Sequence, residues 1–367
     1  MAACDPFEAD PAAPAPLRLS ACQALTVLDE SGRPLVGIED IAIDPERGLA
    51  YLAAYDRRQP LDLTAADTGR FLGGIHALTL AALDQAAARP LTAQNILPAT
   101  LGQGRTRPHG VELLIEADGS RFLYAVDRFG GEANILALAL AEDGLTSQIA
   151  TPPRTNGHVC HPNNIAAMDR DQLYVSNDRA ACGTVGVMME NVLGLKRSFV
   201  GYFHDDAFSV AVADLFFANG LEIDDHGDGQ QDLAVAETRA GHISFYPIID
   251  RASGELGPMR ARIPIGAGPD NLAEGEDGAI YAAAIPNLFR YALFRAFGAW
   301  AARPDSDIVR LWRSPADGQI RWARLARVSG KTFAGATVAV QAGPHLLLGS
   351  AFGAGIGLCR LHDAAAS

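Results

Sequence analysis

The sequence is short of charge, short of basic residues and without any long apolar run, and each shortage removes a class of protein. Charged residues make up only 20% of the 367, which argues against long, salt-bridge-laced surface helices. Lys and Arg number 30 against 43 Asp and Glu, a formal charge of −13. That balance excludes a broad nucleic-acid-binding face and a patch for anionic lipid. No stretch approaches the roughly 20 apolar residues that span a bilayer as a helix. The first twenty residues carry neither the basic region nor the apolar region of a secretion leader. Cysteine is scarce at five. With Cys4 set aside, Cys22, Cys160, Cys182 and Cys359 remain, an even number that permits two disulfides in an oxidising compartment and leaves their pairing open.

What the sequence does have is small residues and turns. Hydrophobic residues reach 49% and glycines number 37, a composition that favours short strands over long helices. The start differs: Ala2-Ala3-Cys4 resembles the end of a lipoprotein signal, and a Pro/Ala-rich run follows to Leu17. Residues 1–18 are expected to form a disordered tail, with Cys4 as a candidate lipid anchor and a periplasmic or extracellular location. Residues 19–367 are expected to form one domain.

A loose repeat runs through that domain. A polar residue beside a small or polar one opens a short apolar strand, then comes a Gly/Asp turn and a second strand. The copies open at Glu39, His109, Asn163, Asn219, Asp270 and Thr337, 51 to 70 residues apart, the length of a four-stranded propeller blade with its connections. Runs such as Phe122-Leu123-Tyr124-Ala125-Val126 and Ile280-Tyr281-Ala282-Ala283 read as strands buried on both faces. The fold expected is all-β, a six-bladed β-propeller with a central channel and a few helices on the active-site face. Because first strands line the channel, the six openers converge at one end of it.

Together with Asn271 the openers comprise two carboxylates, three amides, an imidazole and a hydroxyl. Oxygen predominates, which suits a hard cation such as calcium, whereas zinc would call for Cys and His. Two carboxylate charges also offset the cost of burying a divalent ion. Elsewhere, Asp224, Asp228 and Asp232 are spaced like a calcium-binding hairpin, with His226 interrupting the pattern. The segment Leu288 to Ala301 has helical spacing and interrupts the repeat, as a lid, a peripheral membrane contact or a helix packed on the propeller.

Several segments resemble the serum paraoxonases and related calcium-dependent lactonases and arylesterases. They are Gly37-Ile38-Glu39-Asp40, Met189-Glu190-Asn191-Val192-Leu193-Gly194-Leu195, Phe217-Ala218-Asn219-Gly220 and Gly335-Ala336-Thr337-Val338, in the family's order. The resemblance implies a catalytic calcium held by Glu39, Asn163, Asn219, Asp270 and Asn271. It implies a second, structural calcium at Asp40, the Val111 carbonyl and Asn164, with one carboxylate fewer than the family usually has. The reaction implied is hydrolysis of a small-molecule lactone or ester. His109 matches the family's first active-site histidine, but Arg128 stands where the second would be and cannot accept a proton. Three routes stay open: His109 acts alone, Glu39 or Asp270 is the base, or Arg128 binds an anionic substrate group. Ile285 replaces a further family histidine on a wall that would include Phe217, Thr337 and Phe352. Cys22 and Cys359 lie where the last blade would close, and the family has a disulfide at the matching C-terminal cysteine. Two other functions compete with this one: a calcium-stabilised propeller acting as a non-catalytic binding module, and a sugar-lactone hydrolase.

Overall fold

The computed structural model describes residues 17–363 apart from 59–72, 87–88, 102–105, 130–132, 155–156, 158 and 205–206. Cys4 and nearly all of the N-terminal tail lie outside the described residues. Six antiparallel sheets, each following one copy of the repeat, stand around a central channel. Their first strands are Ile38–Asp44, Pro108–Ile115, Pro162–Asp169, Ala218–Asp225, Gly268–Glu274 and Val338–Ala342, and each touches the next around the ring. The expected six-bladed propeller is thus observed, with the sequence repeat marking the blades.

The second strands explain why the blades stack. Leu49–Ala54 and Ile280–Ile285 are buried at every residue. Successive side chains on a strand point to opposite faces. Tyr51 and Ala53 pack towards Val111 and Leu123 of the second blade, while Ala50 and Leu52 pack towards Val338 and Leu347 of the sixth. A strand with two neighbours to satisfy reads as continuously apolar rather than alternating.

Two glycines set how closely the inner strands approach. A Cβ on Gly110 would lie 2.6 Å from the Asn163 carbonyl oxygen, and one on Gly220 would lie 2.5 Å from that of Asp270. Larger residues there would push apart the strands that carry the polar openers.

The ring closes by sharing its last blade between the chain's two ends. Strand Leu17–Leu25 pairs with Ile356–Asp363, and Cys22–Cys359 locks the pair across 337 residues. In the chain-entropy account such a closure contributes up to about 5 kcal/mol. A second disulfide joins Cys160 to Cys182. Two disulfides are the mark of a periplasmic or extracellular protein.

Helices α1 (Thr184–Leu193) and α2 (Leu288–Phe297) follow the second strands of the third and fifth blades. They therefore sit at the end of the channel where the openers lie. Asn287 caps α2, its side chain accepting from the Arg290 amide. Phe289 is 74% exposed and Trp300 96% exposed on the segment expected to interrupt the repeat. Among the described residues no helix is long and apolar enough to cross a membrane.

Candidate active site and metal centre

A cavity of about 670 Å³ opens at that end of the channel. Glu39, His109, Asn163, Asn219 and Asp270 all line it. The repeat therefore brings together five of the six openers, from five blades. Thr337 does not line the cavity; its hydroxyl donates to the Glu39 carbonyl at 2.7 Å, below the floor. Of the other expected wall residues, Phe217, Ile285 and Phe352 do line it.

At the floor, Glu39 and Asp270 are nearly inaccessible. Asn219 Nδ2 donates to both Thr238 and Asp270. Asn271 Nδ2 donates to Glu39 Oε1 and to the Glu39 carbonyl, each at 3.1 Å. Burial raises both carboxylate pKa values, and Glu39's charge adds to the rise at Asp270. The charge of Arg57, 3.9 Å from Glu39 Oε2, offsets only part of that rise.

Whether a cation fits is decided by the remaining oxygens. Glu39 Oε2, Asn163 Oδ1 and Asn219 Oδ1 are buried with no hydrogen-bond partner. Unpartnered buried acceptors are costly, and these three belong to residues that share one cavity with Asp270. Hard oxygen donors with two carboxylates suit calcium. The residues fit the ion.

The second set is already partly hydrogen-bonded within the protein. Asp40 Oδ2 accepts from the Val111 amide and from Asn164 Nδ2, both at 2.9 Å, and Oδ1 accepts from the Ile41 amide. Asn164 Oδ1 accepts from the Leu221 amide. The Asn164 side-chain amide, where the family usually has an aspartate, donates to Asp40 Oδ2 and, at 3.3 Å, to Asn271 Oδ1. In the Asp224 hairpin, Arg313 Nη2 donates to Asp224 and to Asp232, so a guanidinium already supplies the positive charge.

His109 is held from both sides. Arg57 Nη2 lies 2.6 Å from its Nδ1, and Glu39 Oε2 lies 3.2 Å from the same atom. A guanidinium only donates, so the Arg57 contact favours the tautomer in which Nδ1 accepts and Nε2 carries the ring proton. Burial, then the charges of Arg128 and Arg57, hold the imidazole pKa well below its ordinary value. Arg128 is occupied: its Nε donates to the Pro162 carbonyl at 2.7 Å and its Nη2 to Asp178 at 3.1 Å.

The profile of the arylesterase family matches residues 39–361. That span holds every candidate ligand and both helices. The chain belongs to the arylesterase family. Serum paraoxonase/arylesterase 1 of Rattus norvegicus is 25% identical over 260 residues, 70% of this chain and 69% of the relative. Serum paraoxonase/lactonase 3 of Mus musculus is 23% identical over 253 residues, 69% and 68% of the two chains. A gluconolactonase from Xanthomonas campestris shares the fold with TM-score 0.51 at 13% identity, over 96% of this chain and 99% of its own.

In this member of the arylesterase family, the repeat does not mark Arg57, Asp178, Arg179, Arg239 or Tyr291, all of which line the cavity. All five follow the second strand of a blade, or lie on the helix after it, rather than opening a blade. The repeat carries no signal for them.

Proposed function

We propose that the chain is a calcium-dependent hydrolase of lactones and aryl esters, with the ion held by Glu39, Asn163, Asn219, Asp270 and Asn271. The observation that carries this reading is the set of buried, unpartnered oxygens of Glu39, Asn163 and Asn219 at the floor of the cavity. Family membership supplies the reaction class. Calcium bound there supplies a Lewis acid that polarises the substrate carbonyl and favours the oxyanion.

The rest falls to side chains. His109 gives its Nδ1 lone pair to Arg57, which leaves Nε2–H as a donor to substrate or water rather than a base. The base is then a carboxylate. Each carboxylate has one oxygen hydrogen-bonded, Glu39 Oε1 by Asn271 and Asp270 Oδ1 by Asn219, but Glu39 Oε2 also lies 3.9 Å from the Arg57 guanidinium, which lowers its basicity. Asp270 accordingly takes the proton of the attacking water as its oxygen bonds to the carbonyl carbon, and returns it to the departing alkoxide. Ile285 and Phe352 give the acyl or aryl portion an apolar surface.

The test is hydrolysis of a panel of aliphatic lactones and phenyl acetate before chelation, after it, and after calcium is restored. Activity should vanish with the ion and return with it. Turnover that survives complete calcium removal, or no turnover of any substrate in calcium, would overturn the reading.

A further inference from the structure

The cavity carries the opposite sign to the rest of the protein. The chain's formal charge is −13, yet five arginines line the cavity (Arg57, Arg128, Arg179, Arg239 and Arg295) against three carboxylates, Glu39, Asp178 and Asp270. Like charges gathered in a concave, partly buried site cost free energy unless something offsets them.

The offsets present are incomplete. Asp178 is shared, with Oδ2 3.1 Å from Arg128 and Oδ1 2.6 Å from Arg179. Arg239 has no carboxylate partner among the described residues. Its Nη2 donates at 2.6 Å to Asn191 Oδ1, the same oxygen that accepts from Arg179 Nε at 3.2 Å. A single neutral amide oxygen from α1 thus holds two guanidiniums together. Both also lie over the Phe217 ring, at 5.1 Å and 5.2 Å from its centroid. Phe217 adopts a left-handed φ of 66°, a strained conformation for an aromatic residue that is retained where it positions something. Burial and the neighbouring Arg179 lower the pKa of Arg239, and the opposing charges of Asp178 and Glu190 do not offset them. Arg295, on α2 at the same cavity, has no hydrogen-bond or ion-pair partner among the described residues.

We propose that the cavity selects lactones or esters bearing an anionic group, a carboxylate or a phosphate, received by Arg239 and Arg179 on the Asn191–Phe217 wall. The proposal rests on the hydrolase reading for its word "substrate", but the anion site stands on its own geometry. Paired, pre-positioned guanidiniums suit planar carboxylate and phosphate oxygens. The calcium floor and the arginine wall would then hold the two ends of one substrate, the carbonyl at the first and the anionic group at the second.

The experiment compares kcat/KM for phenyl acetate, 4-acetoxybenzoate, 4-acetoxyphenyl phosphate and the cationic 4-acetoxy-N,N,N-trimethylanilinium, in calcium and at low salt. The anionic esters should be preferred, and their ratio to phenyl acetate should fall about ten- to hundredfold in Arg239→Gln. Arg239→Lys should restore part of the ratio, and Arg179→Gln should lower it independently. Whichever of the benzoate and phosphate esters leads identifies the anion. In parallel, calorimetry follows binding of benzoate and phenyl phosphate to wild type and Arg239→Gln. Binding that depends on Arg239 without hydrolysis of any ester would keep the anion site and reject the hydrolase reading. Equal handling of neutral, cationic and anionic esters, or an anionic preference and anion binding untouched by either substitution, would overturn the proposal.

Discussion

Arg57 Nη2 stands 2.6 Å from His109 Nδ1, and this contact decides the protonation of the imidazole that faces the cavity. Arg57 follows the second strand of the first blade, and His109 opens the second blade. Arg57 Nη1 also donates to the Gly37 carbonyl at 2.8 Å, and the guanidinium lies 4.0 Å from the Tyr55 ring centroid. The arginine is therefore also held by contacts other than the histidine.

The tautomer follows directly. With Nδ1 accepting from Arg57, ¹⁵N-resolved NMR of the imidazole, assigned by comparison with His109→Gln, should place the proton on Nε2. A proton on Nδ1 would show that the Arg57 contact does not govern the ring, and would return His109 to the role of base.

Arg128 raises a different expectation. It occupies the position of the family's second histidine, but its Nε and Nη2 bind the Pro162 carbonyl and its Nη2 also meets Asp178. Arg128→His cannot reproduce that fork. It should destabilise the protein by about 1–3 kcal/mol, through the carbonyl and carboxylate left behind, and should not raise hydrolysis of phenyl acetate. Thermal unfolding and initial rates check both halves. A gain in rate at unchanged stability would show that a histidine dyad limits this enzyme.

Beyond the catalytic end, the channel holds a second electrostatic feature. Glu222, on the inner strand of the fourth blade, accepts from the Glu274 and Ile223 amides. Glu274 and Asp224 are charged groups that face it, and Glu112 feels its charge in turn. Burial, then the charge of Glu274, pushes its pKa up to about 8. The folded protein binds this proton more tightly than the unfolded chain. Its contribution to stability is therefore full below the ordinary glutamate range and is lost as pH rises through about 8. Glu222→Gln has no such proton to lose, so its unfolding midpoint should fall less between about pH 5 and about pH 9 than that of wild type. Equal slopes in scanning calorimetry would contradict this.

Much of this arrangement was legible in the sequence, for a physical reason. A propeller repeats its first strand, so Asn163, Asn219 and Asp270 occupy equivalent positions and their convergence follows from the blade count. Neighbours on the strand are then separated: Asp270 lines the cavity, whereas Asn271 lies beneath it and donates to Glu39, and both fall where the pairing shifts register between Pro269 and Leu272. Its place in the repeat puts Thr337 on the wall, but its hydroxyl turns to the Glu39 carbonyl. No strand period specifies a side-chain rotamer at an opener. Arg57, Asp178 and Arg239 follow second strands, in connections that differ in length from blade to blade. Equivalence between blades fails there, and only the folded chain brings those residues together.

The calcium centre is the claim on which the catalytic account depends, and counting ions tests it most directly. Calcium-depleted protein is titrated with calcium by calorimetry, with hydrolysis of phenyl acetate followed in the same samples. Wild type should bind at least one ion per chain, and activity should rise in step with the ion at this centre. Asp270→Asn should weaken binding by about tenfold or more, since one of two ligand charges is removed. Asn219→Ala should weaken binding as well. No calcium bound, or binding unchanged in Asp270→Asn and Asn219→Ala, would contradict the account.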